Sequence, residues 1–270
     1  MPERVCAGWC GRWVRVVLAA LLAVMARAAG AAEYVAIPAG TLASVLANDA
    51  DTGPVAIPAF AIRVTPVTNG EYLAFARTHR EWQRGRAPAT FADGTYLHAW
   101  RNAMTLGAEM SAGQPVINVS WFAAEAFCEN ENARLPTWLE WEYVAAADEK
   151  LFDARGNPAW RARILNWYSQ SSREPLPVVG GQANAYGVRN LHGLIWEWVD
   201  DFNALLVSPD SRSQGDPDKL QFCGAGAISL KDRDNYAVLM RIALLSSMAA
   251  SSTTNNLGFR CVRPLTVENK

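Results

Sequence analysis

Arg134-Leu135-Pro136-Thr137-Trp138-Leu139-Glu140-Trp141-Glu142-Tyr143 is the stretch on which the reading of this 270-residue chain turns. Pro136, Thr137 and Trp138 open a short helix that runs from Pro136 to Ala147 and stops before Asp148. So short a helix sends Glu140, Trp141, Glu142 and Tyr143 to several sides, so they cannot all meet one ligand. The block therefore reads as structural, with Arg134 placed to pair with one of its carboxylates. Upstream, Pro115-Val116-Ile117-Asn118-Val119 is a brief strand, and Ser120 with Trp121 begins another helix through Asn130. Further back, Thr68-Asn69 opens a helix over Gly70 to Thr78, where Tyr72, Leu73, Phe75 and Ala76 recur at helical spacing. From Tyr34 to Ala61, apolar bursts are broken by Gly40, the polar cluster Asn48 to Asp51 and Gly53-Pro54, the pattern of short strands joined by turns. Residues 82 to 115 and 148 to 189 show no sustained period and read as irregular structure. The sum is an α+β composition with few helices and much loop, and no boundary linker divides it.

Composition agrees. Half the residues are apolar, 19% are charged and the net charge is −1, which excludes disordered, collagenous and nucleic-acid-coating classes. Eleven tryptophans and 19 glycines point to aromatic cores under turn-rich backbone rather than to long helical bundles. Arg4, Arg12 and Arg15 precede an uncharged run from Val16 to Ala26, and small residues follow through Ala31 and Ala32. This is the layout of a secretory signal peptide over residues 1–32, leaving a domain over residues 33–270. The apolar run is shorter than the roughly 20 residues that span a bilayer. The expectation is a periplasmic protein, off the membrane once the leader is cut, monomeric and without nucleic-acid partners. Cys6 and Cys10 leave with the leader, so Cys128, Cys223 and Cys261 enter a compartment where disulfides persist.

Three further segments accompany the first: Val67-Thr68-Asn69-Gly70-Glu71-Tyr72, the run Asn184-Ala185-Tyr186-Gly187 through Asn190-Leu191-His192-Gly193-Leu194-Ile195-Trp196-Glu197-Trp198, and Asn256-Leu257-Gly258-Phe259-Arg260-Cys261. Together the four resemble the formylglycine-generating enzyme, or sulfatase-modifying factor, family over residues 34 to 264. The resemblance implies a single C-type-lectin-like, formylglycine-generating-enzyme-type domain, rich in loops and short strands. It also implies a disulfide between Cys128 and Cys261, which leaves Cys223 as the free thiol. Asn190, Gly193, Ile195 and Glu197 match positions of a family calcium site, and such oxygen donors suit Ca²⁺. An ion-free loop knitted by hydrogen bonds is the other reading of that run.

The chemistry of the family's catalytic members is missing. They hold copper(I) with two cysteines a few residues apart, before an Arg-x-Ala-x-Arg-like strand, because soft thiolates suit that ion. Here the corresponding run reads Cys223-Gly224-Ala225-Gly226-Ala227-Ile228-Ser229-Leu230-Lys231-Asp232-Arg233-Asp234-Asn235-Tyr236. One register puts Ser229 and Asp234 at the thiol positions and the other puts Asp232 and Ala237 there, so neither makes a two-cysteine copper site. The iron-using branch of the family needs an HxxxHxE-like set, and His79, His98 and His192 are not so spaced. Asp232, Arg233, Asp234, Tyr236 and Arg241 are then candidate residues of an altered cleft, against the simpler reading of a solvated loop whose charges satisfy one another. The resemblance is nearest to exported members that accompany copper nitrite reductases. It implies a periplasmic accessory or maturation factor for a protein partner, without formylglycine-generating activity. The rivals are an oxidoreductase acting on a peptide or siderophore-type substrate, and a degenerate binding module.

Overall fold

The computed structural model of the chain describes residues 32–44, 53–169, 175–205 and 236–265. The chain divides into Met1–Glu33 and Tyr34–Lys270, and the elements below belong to the second unit. Its strands are short. β1 (Tyr34–Ile37), β4 (Phe60–Arg63) and β7 (Val262–Pro264) form an antiparallel sheet in the order β1-β4-β7, with Ile37 opposite Phe60 and Ile62 opposite Val262. β2 (Gly40–Leu42) pairs antiparallel with β3 (Val55–Ile57), and β5 (Trp196–Glu197) runs parallel to β6 (Leu257–Gly258).

Among the described residues five α-helices accompany them: α1 (Asn69–Thr78), α2 (Trp121–Asn130), α3 (Trp138–Ala145), α4 (Pro158–Tyr168) and α5 (Tyr236–Ser246). Thr68 and Thr137 cap α1 and α3 with reciprocal boxes, each accepting from a glutamate N–H three residues on while that carboxylate takes the cap's own N–H. Ser120 caps α2. These are the three helices that the sequence marks, to within two residues at each end. The expectation of irregular structure through 148 to 189 is corrected by α4. Asn157 caps it and Pro158 occupies its first turn, but Ile164 is its one buried residue, so the apolar periodicity that would reveal a helix is weak. α5 is also a difference, since the resemblance implies a strand just after the altered loop.

The core is aromatic. Trp100, Trp138, Trp198, Tyr72, Phe60 and Phe259 are all fully buried. Buried indoles keep a partner for their N–H: Trp100 donates to the Asn69 side chain at 3.1 Å and Trp198 to the Val119 carbonyl at 2.9 Å. Cys128 on α2 and Cys261 before β7 are joined as a disulfide across 133 positions, tying the helical layer to the sheet. Arg134 pairs with Glu140 through both guanidinium nitrogens at 2.6 and 2.7 Å, the local pairing that the sequence suggests.

Candidate functional site

The strings that carry the family resemblance converge on a buried ion pair. β5 carries Glu197 into the interior beside β6, where both side chains of the Glu197–Arg260 pair have no solvent exposure. Arg260 Nε and Nη2 reach the two carboxylate oxygens at 2.7 and 2.8 Å, and Trp141 Nε1 adds a third donor at 2.8 Å. The guanidinium also donates to the carbonyls of Arg63, Val64 and Arg189. One arginine thus pins β4, the 189–197 loop and the final strand region together.

This geometry gives Glu197 a structural role beside the expected one as an ion ligand. Its two oxygens already accept three hydrogen bonds, so an ion bound there would compete with a buried guanidinium for them. Asn190 sits in the left-handed region at φ 59° and its carboxamide oxygen accepts the Gly180 N–H at 2.8 Å. Gly193, at φ 91°, shapes the turn that follows, and Ile195 is buried with a small apolar cluster around Leu194 and Ile117. Three of the carboxylate's acceptor positions are taken, so a Ca²⁺ that used Glu197 would have to share it with Arg260 and Trp141. Between Asn190 and Gly193, His192 is a structural hydrogen-bonding residue, as its position in the loop suggests. Its Nε2 lies 2.9 Å from the Ala145 carbonyl, while Trp141 and Trp160 meet it edge to face. Burial, helped by the positive charge of Arg241, pushes its pKa down to about 3.

Of the altered-cleft candidates, Asp232, Arg233 and Asp234 lie outside the described residues, as does Cys223. Tyr236, at the start of α5, is 53% exposed. Arg241, one helical turn and more beyond it, is buried: its Nε and Nη2 hold both oxygens of Glu142 at 2.6 and 2.7 Å, its Nη1 donates to Tyr168, and it lies 5.0 Å over the Trp141 ring. Arg241 is therefore the bolt between α3, α4 and α5 and does not face an open cleft together with Tyr236. Tyr168 in turn stacks on Trp196 with centroids 4.7 Å apart, which connects this bolt to the strand bearing Glu197.

After residue 32 the sequence has three cysteines, and two of them are joined in the Cys128–Cys261 bond. Among the described residues no three His, Cys, Asp or Glu side chains come together as a metal set. What the irregular 98–118 segment does build, with Pro175, Leu176 and Asn255, is a cavity of about 560 Å³. Sequence reasoning missed it because its lining comes from residues with no periodicity, and only His98 among them stood out by type. No helix among the described residues is long and apolar enough to cross a membrane.

Comparison with known proteins follows the same lines. The family model described as sulfatase-modifying factor enzyme 1-like domain matches residues 21–265. Hercynine oxygenase from Mycobacterium tuberculosis is 30% identical over 171 residues, covering 57% of this chain and 40% of that protein. Formylglycine-generating enzyme from Streptomyces coelicolor is 31% identical over 166 residues, covering 54% of this chain and 52% of that protein. The matched stretch thus spans about half the length of these relatives or less. Among solved structures, PvdO from Pseudomonas aeruginosa superposes with a TM-score of 0.50 at 18% identity, covering 87% of this chain and 95% of that one, a likeness of fold.

Proposed function

The chain belongs to the sulfatase-modifying factor enzyme 1-like family, and on that premise we propose that it is an exported, periplasmic accessory or maturation factor that binds a protein partner and does not make formylglycine. The single observation that supports this most is the thiol count. With Cys128 bonded to Cys261, Cys223 is alone beyond residue 32, and one thiolate cannot form the paired soft site that copper(I) prefers. What the fold retains is its stabilising machinery: the capped helices, the Glu197–Arg260 pair and the Arg241–Glu142 pair. A binding role fits that retention, because loops on a rigid frame can recognise a partner without the redox centre.

The partner class favoured by the sequence resemblance is an exported copper nitrite reductase. The test is to express such a reductase with and without this protein and to read copper content and turnover of the purified reductase. Lower copper loading without this protein is the expected result. Equal loading in both strains overturns the accessory reading. A second reading, oxidation of a peptide-derived substrate, draws on the 30% identity to an enzyme named an oxygenase. Against it, His79, His98 and His192 are the chain's only histidines and lie in three separate places: the C-cap of α1, the 98–118 segment and the 190–193 loop.

A further inference from the structure

His192 uses one ring nitrogen and leaves the other without a partner. Its Nε2 lies 2.9 Å from the Ala145 carbonyl, and a carbonyl only accepts, so Nε2 carries the proton. Burial, with Arg241, Arg163 and Arg260 nearby, keeps the ring neutral, and Nδ1 is then a bare lone pair. That atom is buried and has no hydrogen-bond partner among the described residues. A buried acceptor without a donor is disfavoured, and native proteins rarely keep one without a use. The residue that carries it lines a cavity of about 280 Å³, built from the 147–149 turn, α4 and the 182–193 loop.

This cavity accounts for the weak apolar face of α4. Trp160, Ile164 and Trp167 lie at i, i+4 and i+7 on one side of that helix, and all three line the space. Ile164 is buried, while both indoles are only partly so. This side of α4 faces a cavity instead of closing fully on the core. Val188 and Leu191, both buried, extend the apolar lining. Indole rings and branched aliphatic chains together suit a flat, apolar ring. The charged lining is two carboxylates and one guanidinium. Glu149 is paired with Arg163 at 2.8 Å. Asp148 Oδ1 accepts the Leu151 and Lys150 N–H groups at 2.7 and 2.8 Å, which holds the carboxyl below the usual carboxylate range. The surplus charge is negative and favours a cation over an anion.

We propose that this cavity binds a small aromatic amine, with its flat ring against Trp160, Ile164 and Trp167, its ring N–H donating to His192 Nδ1 and its ammonium group beside Asp148. Each part answers one feature of the lining: the donor answers a nitrogen that can only accept, the ring answers the indoles, and the amine answers the unpaired carboxylate. A bare metal ion is a poorer match, because no three His, Cys, Asp or Glu side chains gather among the described residues. The site is separate from the 98–118 cavity and does not depend on the accessory role.

The test is a methyl NMR titration of the purified protein, following Ile164 and Val188, with tryptamine as the probe and 1-methyltryptamine and indole-3-propionate as controls. Chelator is present throughout, so that no ion at Asn190 or Gly193, which share the wall, enters the reading. Tryptamine shifts both sets of methyl signals saturably. 1-Methyltryptamine is larger and more apolar but lacks the ring N–H, and it binds about tenfold more weakly, since a site built on a hydrogen bond rejects the analogue without it. Indole-3-propionate, with a carboxylate in place of the amine, binds a few-fold more weakly, and added salt narrows that gap. His192→Gln sets an amide N–H near the place of Nε2, keeps the bond to Ala145 and offers no acceptor at Nδ1. It melts close to the unaltered protein and loses affinity for tryptamine about tenfold. His192→Asn is the converse: its carboxamide oxygen falls near the place of Nδ1, so it melts lower yet binds tryptamine more tightly than the glutamine variant. No saturable shift with tryptamine, 1-methyltryptamine binding as tightly as tryptamine, or His192→Gln keeping full affinity overturns the proposal.

Discussion

Glu197→Gln separates a structural carboxylate from an ion ligand. The substitution keeps the volume but removes the negative charge opposite Arg260, whose side chain has no solvent exposure. The amide presents N–H groups where Arg260 and Trp141 already point donors at 2.7 to 2.8 Å, so one donor of the three loses its acceptor. Breaking a buried pair by removing one partner costs about 3–5 kcal/mol, because the remaining charge stays buried and unpaired. For a domain of this size each kcal/mol lowers Tm by about 2–4 °C, giving a fall of roughly 6–20 °C. Glu197→Gln combined with Arg260→Met should recover only part of this, since the arginine also serves the carbonyls of residues 63, 64 and 189. Urea titration of the unaltered protein and both variants, in chelator and again in millimolar Ca²⁺, measures the effect. The loss should be the same in both buffers. A Glu197→Gln variant within about 1 kcal/mol of the unaltered protein in chelator, or a loss that appears only with Ca²⁺, refutes the reasoning.

Other outcomes follow from the same contacts. Thiol counting on denatured, unreduced protein lacking residues 1–32 should find one reactive sulfhydryl, Cys223, and reduction should expose two more. The Cys128–Cys261 link should be worth at most about 5 kcal/mol in the loop-entropy model, read from urea unfolding with and without reductant. Gly258→Ala places a methyl 2.3 Å from the Val116 carbonyl and 2.8 Å from Ile195 Cδ1, and should cost about 1–3 kcal/mol by thermal melt. Asp93 ties its own loop to the 253 region. Partial burial works against its charge, but hydrogen bonds from Thr253 and Thr95 outweigh it and hold its pKa below the usual 3.8. The folded state therefore releases this proton more readily than the unfolded chain, so its contribution is complete above pH 3.8 and is lost as pH falls through the lower folded value. Asp93→Asn should flatten the acid limb of the stability curve, and an unchanged limb would contradict this.

Much of the frame was legible because it is written locally. Thr68 with Glu71, and Thr137 with Glu140, announce their helices by capping chemistry three residues apart, and the Arg134–Glu140 pair lies within reach of one short helix. α4 was missed because its cap is plain but its apolar face is nearly absent. The Glu197–Arg260 and Arg241–Glu142 pairs join residues 63 and 99 positions apart, and no periodicity links such partners. For the same reason Arg241 and Glu197 looked available for chemistry when each was already bound to a buried partner. The cavity around Asn118 was hidden in a segment that offered turns and isolated aromatics, where position in space is set by long-range backbone bonds such as Asn118 to Thr254.

The most direct measurement incubates the purified protein with copper, oxygen and a peptide bearing the Cys-x-Pro-x-Arg recognition sequence, and follows the peptide by mass spectrometry. With Cys223 alone outside the disulfide after residue 32, the protein should leave the substrate thiol unconverted while it remains folded by circular dichroism. Copper-dependent conversion of that cysteine to the aldehyde, in multiple turnovers, would contradict the account.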